Sequence, residues 1–389
     1  MGWCTTSDLE QFTAMAGGYL RSQAAENTLL LSAVQAAQLR AAGGQRAEVP
    51  AAGLLFGWWE PPGGGVPRGA FLHDPQVPLL VAGRIPELAA TLAATLAKLG
   101  RQVRGVDAPT DAADAFAAAW SQRAGTTARV HRRRGVYRLG GEGAADGHRR
   151  GQGPGLPGNG TAASGTGGWP SPGIPGPPGR LRVATSDDHP LLASWLAAFA
   201  AETAERIGSP AEVAADLIGY GGAVFWEVPP RPGRLRDAAH YLPIPHRREG
   251  IPSAEPGYQP VALAALTQPV VGIVRISMVY TPQERRRSGH ALAASLAVSR
   301  ALLAGGIPGG APGGLPGLLR GAAPGSRVDE VVMITEGNRL DRGRGRFGYQ
   351  LVGERTVLRF GPGTSPLPRL RETRPMPRLS TGALPRLPR

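Results

Sequence analysis

One cysteine, Cys4, stands in 389 residues. That excludes an internal disulfide framework and any cysteine-rich zinc site. Lysine is as scarce, since Lys98 is the only one among 43 basic residues and the rest are arginine. No apolar run approaches the ~18 residues of a membrane span, so no membrane partner is expected. The opening "MGWCTTSDLEQ" has no basic flank followed by an apolar block, so no secretory signal is read there. The expected compartment is the cytoplasm. Aromatic residues make up only 6%.

Positive charge is in excess, at +14, which raises the question of nucleic acid. Arginine without lysine, spread through Gly- and Pro-rich stretches, reads instead as a compositional bias of the whole sequence. Nucleic acid is therefore not the expected partner.

The 57 glycines and 38 prolines divide the chain. Residues 1–139 carry helical and strand patterns. "SDLEQFTAMAGGYLRS" reads as a helix capped by Ser7 or Asp8, and "TLLLSAVQAAQLRAA" as a second. "GLLFGWWE", "GAFLHD" and "VPLLVAG" read as strands between turns. "IPELAATLAATLAKLG" is an amphipathic helix with Leu88, Leu92 and Leu96 on one face. "DAADAFAAAWSQRAG" adds a helix and "ARVHRRRGVYRLGG" a last strand.

Residues 140–180 have almost nothing apolar to bury and read as a disordered linker. Residues 181–360 then spell β-α-α-β-β-β-α-β-β, closing on a hairpin-like "RFGYQLVGERTVLRF". Inserts near 229–259 and 305–326 fall between elements, and 361–389 reads as a disordered Pro/Arg tail. The fold class expected is α/β with a mixed sheet, in two blocks joined by the linker. The second block, residues 181–360, is expected to be the working domain, and a fragment of residues 180–360 to retain ligand binding.

The most informative stretch is "VYTPQERRRSGHALAASLAVSRALLAGG", residues 279–306. Here Arg-x-x-Gly-x-Ala, from Arg286 to Ala291, follows a strand and opens a helix. Free N–H groups of a first helical turn and the helix dipole favour an anion there. Gly289 permits close backbone approach, Ala291 keeps the turn uncrowded, and Arg286 adds charge.

Taken with "PVVGIVRISMVYTPQERRRSGHALAASLAVSRALL", "YGGAVFWEV" and the closing strand, this segment resembles the GCN5-related N-acetyltransferase (GNAT) family. The resemblance is to the actinobacterial type whose N-terminal half is a degenerate GNAT-like copy, and covers roughly 7–139 and 181–360. It implies a tandem GNAT-like fold, with a degenerate N-terminal domain and an acetyltransferase C-terminal domain. It also implies acetyl-CoA as co-substrate and acetyl transfer to the amine of a small molecule or peptide. Val279, Tyr280 and Thr281 would line the pantetheine arm. Arg286, Arg287, Ser288, Gly289, His290 and Ala291 would cradle the pyrophosphate.

Glu227 and Glu336, at strand ends, are candidate bases, and no metal is expected. Arg287 stands where relatives place a glycine, which predicts a crowded turn. Asn338 matches a family asparagine, whereas "RLDRGRGRFGY" puts Arg or Gly where the family's acid tyrosine would fall. Two other readings stay open: a catalytically degenerate binding protein of the same fold, and an Arg-rich nucleic-acid binder. The turn at Gly83–Pro86 lacks this motif, and Pro86 has no N–H to offer. One ligand per chain, held by the second block, is the expectation.

Overall fold

The computed structural model describes residues 2–42, 53–140, 177–205, 207–230, 257–305, 317–320, 327–336 and 347–362. The interior of the expected linker, most of both inserts, the tail past 362 and Asn338 lie outside them.

The first half runs β1 (Gly2–Thr6), α1 (Leu9–Ser22), α2 (Thr28–Ala42), β2 (Leu55–Glu60), β3 (Ala70–His73) and β4 (Leu79–Ala82). It continues with α3 (Pro86–Lys98), β5 (Gly105–Pro109), α4 (Thr110–Ala124) and β6 (Thr126–Gly140). Asp8 supplies the first cap, accepting the Glu10 and Gln11 amides at 2.8 and 3.2 Å. Leu92 and Leu96 of α3 are fully buried against Phe116 and Trp120 of α4. The heptad-like leucine spacing is therefore a packing face.

The second half runs β7 (Arg180–Val183), α5 (His189–Thr203), α6 (Pro210–Tyr220), β8 (Ala223–Val228), β9 (Gln259–Leu266) and β10 (Ile273–Tyr280). It ends with α7 (His290–Leu303), β11 (Glu330–Glu336) and β12 (Gln350–Pro362). The expected terminal hairpin is instead one continuous strand of 13 residues. Its length is used for pairing on both edges, with β6 on one side and β5 on the other.

All the strands join one mixed sheet, ordered β1-β2-β3-β4-β5-β12-β6-β11-β10-β9-β8-β7. The fold is α/β, and it is doubled. β1-α1-α2-β2-β3-β4-α3-β5 repeats as β7-α5-α6-β8-β9-β10-α7-β11. Within each copy the sheet is antiparallel until its last pair, β4–β5 or β10–β11, which is parallel.

The two copies then exchange their final strands. β6 of the first half pairs with β11 over seven residues, from Gly140 opposite Glu330 to Arg134 opposite Glu336. β12 of the second half pairs with β5. Residues 180–360 thus pair, through β11 and β12, with strands encoded before the linker. Cut to that length, the chain would leave β11 and β12 with bare edges, each a row of unpaired backbone groups. The linker divides the chain; the sheet does not break there.

Candidate active site

β10 and β11 pair in parallel from Ile273 opposite Glu330 to Ile276 opposite Met333, and then separate. β10 continues to Tyr280 and β11 to Glu336, so the two strands form a fork. A bulge toward β9 lies between Ile276 and Met278. It turns Ile276 into the core under α7, with Val298 and Leu302. Met278 and Tyr280 go to the opposite core, with Leu192 and Leu196 of α5. From residue 277 onward the β11-facing edge of β10 is released from the sheet.

A cavity of about 1080 Å³ occupies this fork and opens toward the first half. Val279, Ala291, Ser295, Tyr137 and Tyr349 line it on the α7 side. Arg132, Arg134, Arg275, Glu205 and Glu336 line it together with the 76–80 loop of the first half. Among the described residues no group of three or more His, Cys, Asp or Glu side chains is arranged to hold a metal ion.

At the start of α7, Gly289 caps the helix in the left-handed region, at φ 78°, and no side chain caps it. The amides of the first turn are thus left without a side-chain acceptor, as an anion site requires. Arg287 is also left-handed, at φ 66°, so the expected crowding takes the form of a non-glycine residue in glycine's conformation. Arg286 does not reach outward as expected. Its Nε donates to the Thr281 carbonyl at 2.8 Å and its Nη2 pairs with Glu202. Arg286 therefore staples the loop to the end of α5, leaving Arg285 and the exposed Arg287 and Ser288 at the turn.

His290 is partly buried and its Nδ1 has no partner. Burial, then the charge of Arg285, lowers its pKa below the usual histidine value, so the ring is neutral at pH 7. Thr281 is buried with its hydroxyl unpartnered. Tyr280 packs against Trp195 and donates to Glu202 at 3.3 Å. Burial and then the Glu202 charge push its pKa up.

The structure separates the two candidate bases. Glu227 is fully buried and its oxygens meet Arg182 at 2.6 Å and Arg180 at 3.2 Å. It does not line the cavity. Arg182 in turn clamps Asp188, which with Thr185 closes a reciprocal cap before α5. That whole group ties β7 to β8. Glu336 does line the cavity, half-exposed, with Arg132 Nε at 3.0 Å. Glu205, not singled out by sequence reasoning, joins it there, paired with Arg132 and Arg134. Its only signal was its place just past the end of α5.

Tyr349 was also missed. The sequence puts it a few residues beyond the position examined for a tyrosine, yet it lines the cavity, with its hydroxyl 2.7 Å from that of the buried Ser299.

The first half offers the same parallel pair and closes it. Arg355, from β12, donates through Nε to Asp107 at 2.7 Å. Its Nη2 reaches the Val81 carbonyl of β4 and the Asp107 carbonyl of β5, at 3.2 and 2.7 Å. One guanidinium thus staples the two strands where they would part. Trp3 Nε1 bonds the Leu88 carbonyl at 3.0 Å and seals the edge of α3. What remains is a hollow of about 10 Å³, room for at most one water. Across the β6–β12 pair, Arg355 faces Arg134, whose guanidinium lies 3.2 Å from Glu205 and 3.7 Å from Asp107 and staples no strand pair.

No family model matches the sequence, and no curated protein matches it. Among solved structures the chain is similar to a Drosophila protein, at 13% identity and TM-score 0.49, covering 93% of this chain and 99% of that one. It is similar to a GCN5-related N-acetyltransferase from Kribbella flavida, at 15% identity and TM-score 0.37, over 75% of this chain and 86% of that one. A tandem GNAT protein from the clavulanic acid biosynthesis pathway gives 14% identity and TM-score 0.35, over 79% and 82%. Likenesses this distant assign no activity to the chain.

Proposed function

We propose that the chain is an acetyl-CoA-dependent N-acetyltransferase with one working site, in the second half. The observation that carries this reading is the open β10–β11 fork ending at the uncapped, glycine-initiated α7. The residues fit the coenzyme. The amides of Gly289, His290 and Ala291 and the charges of Arg285 and Arg287 would hold its pyrophosphate. The released edge of β10, at Val279 to Thr281, would take the pantetheine arm. Bound there, acetyl-CoA supplies an activated thioester for an amine to attack.

The chain's own groups supply the rest. Glu336 or Glu205 holds the proton leaving the amine, and the fork positions the reacting groups. Tyr349, on the α7 side, would give a proton to the departing sulfur. Glu227 takes no part, since both its oxygens are committed to arginines away from the cavity.

The test is calorimetric binding of acetyl-CoA to wild type and to Gly289→Val. A β-branched residue forced to φ 78° must shift the turn. Affinity is expected to fall at least tenfold, about 1.4 kcal/mol. Unchanged affinity in the variant would remove the coenzyme from this turn.

A further inference from the structure

Four carboxylates line the cavity, and each already faces an arginine. Asp107 meets Arg355 at 2.7 Å, Glu202 meets Arg286, Glu205 meets Arg132 and Arg134, and Glu336 meets Arg132 at 3.0 Å. Arg275 differs. It stands one residue before the last pair joining β10 to β11, Ile276 opposite Met333, at the base of the fork. Its Nε is buried without a hydrogen-bond partner. Among the described residues it belongs to no ion pair.

Strand alternation fixes its side. Val274 and Ile276 pack under α7, whereas Ile273 packs with Val136 and Val332 on the opposite face. Arg275 shares the face of Ile273. The groups that act on it electrostatically are Arg134, Tyr220, Glu205 and Asp107; Arg134, Glu205 and Asp107 line the same cavity. Burial, then repulsion by Arg134, draws its pKa down to about 10, so it remains charged at neutral pH. Arg275 is half-buried and lines the cavity, and a partly desolvated guanidinium without a counter-ion is costly and is rarely kept without a use.

We infer that Arg275 receives a carboxylate of the acceptor, which makes the substrate an amino-acid-like molecule bearing both an amine and a free carboxylate. The guanidinium fork matches two carboxylate oxygens. The coenzyme's phosphates belong to the α7 end, across the sheet. Glu205 and Glu336 offer negative charge to the ammonium end of such a molecule. This assignment rests on the acetyltransferase reading for its word "acceptor", but not for the carboxylate site itself.

The experiment measures binding of the common amino acids and their matched carboxamides to the full chain, by calorimetry with saturating coenzyme A. Wild type, Arg275→Gln and Arg275→Lys are compared. At least one acid is expected to bind tenfold or more tightly than its amide in wild type. The Gln variant should lose that preference and the Lys variant keep part of it. Arg275→Gln should melt no lower than wild type, because it removes an unpaired, partly desolvated charge, so a folding failure would also count against the assignment. No acid preferred over its amide, or a preference that survives in Arg275→Gln, overturns it. Acid preference in a chain that binds no acetyl-CoA supports the site and overturns the acetyltransferase reading.

Discussion

At the residue scale, the anion turn is shaped by two left-handed residues with different costs. Gly289 takes φ 78° without penalty. Arg287 takes φ 66°, where an L side chain costs about 1–2 kcal/mol. Replacing it by glycine relieves that strain but adds about 0.5–1 kcal/mol of unfolded-chain entropy to be lost. Arg287→Gly is thus expected to gain about 0.5 kcal/mol and raise the melting temperature by about 1–2 °C. The same variant should bind acetyl-CoA more weakly at low salt, the difference shrinking as salt screens the lost charge. A lower melting temperature, or an affinity loss that ignores salt, would mean that Arg287 makes a contact of another kind.

At the element scale, the contrast between the two parallel pairs is made by one arginine. Arg355 is almost wholly buried and answers Asp107 and two carbonyls. Arg355→Ala would leave the Asp107 carboxylate in the core with only Arg134, 3.7 Å away. The expected loss is about 3 kcal/mol, measured by denaturant unfolding of the full chain. A loss under about 1 kcal/mol, the scale of an exposed pair, would show that the β4–β5 fork is held shut by something else.

Most elements were legible because their periodicity is local. The leucines of α3 and the run "VVGIVRISMVYT" declare a helix and a strand by spacing alone. β5 was not legible: "GVDAP" has an aspartate and a proline in a buried strand. It makes sense only with Arg355, 248 residues away. The terminal hairpin was misjudged for the same reason. "RFGYQLVGERTVLRF" has a glycine that suits a turn, yet Gly353 sits at a register shift within one strand. In the site, the Gly289 turn could be read from its motif. Arg275 and Glu205 could not, because their meaning is the presence or absence of partners on other strands.

For the whole molecule, the exchange of β6 and β12 makes the two halves one unit. The fork in the second half gains a wall, Arg132 and Arg134, from a strand encoded in the first. In the first half the corresponding strand pair is stapled by Arg355 and flanked by Trp3. The measurement that tests this most directly is a calorimetric titration of the full chain with acetyl-CoA. A stoichiometry near one is expected, lost or weakened at least tenfold by Gly289→Val and unaffected in number by changes around Gly83–Pro86. A stoichiometry near two would mean that the stapled β4–β5 pair opens to a second ligand. No binding at all would contradict the assignment of the open fork to the coenzyme.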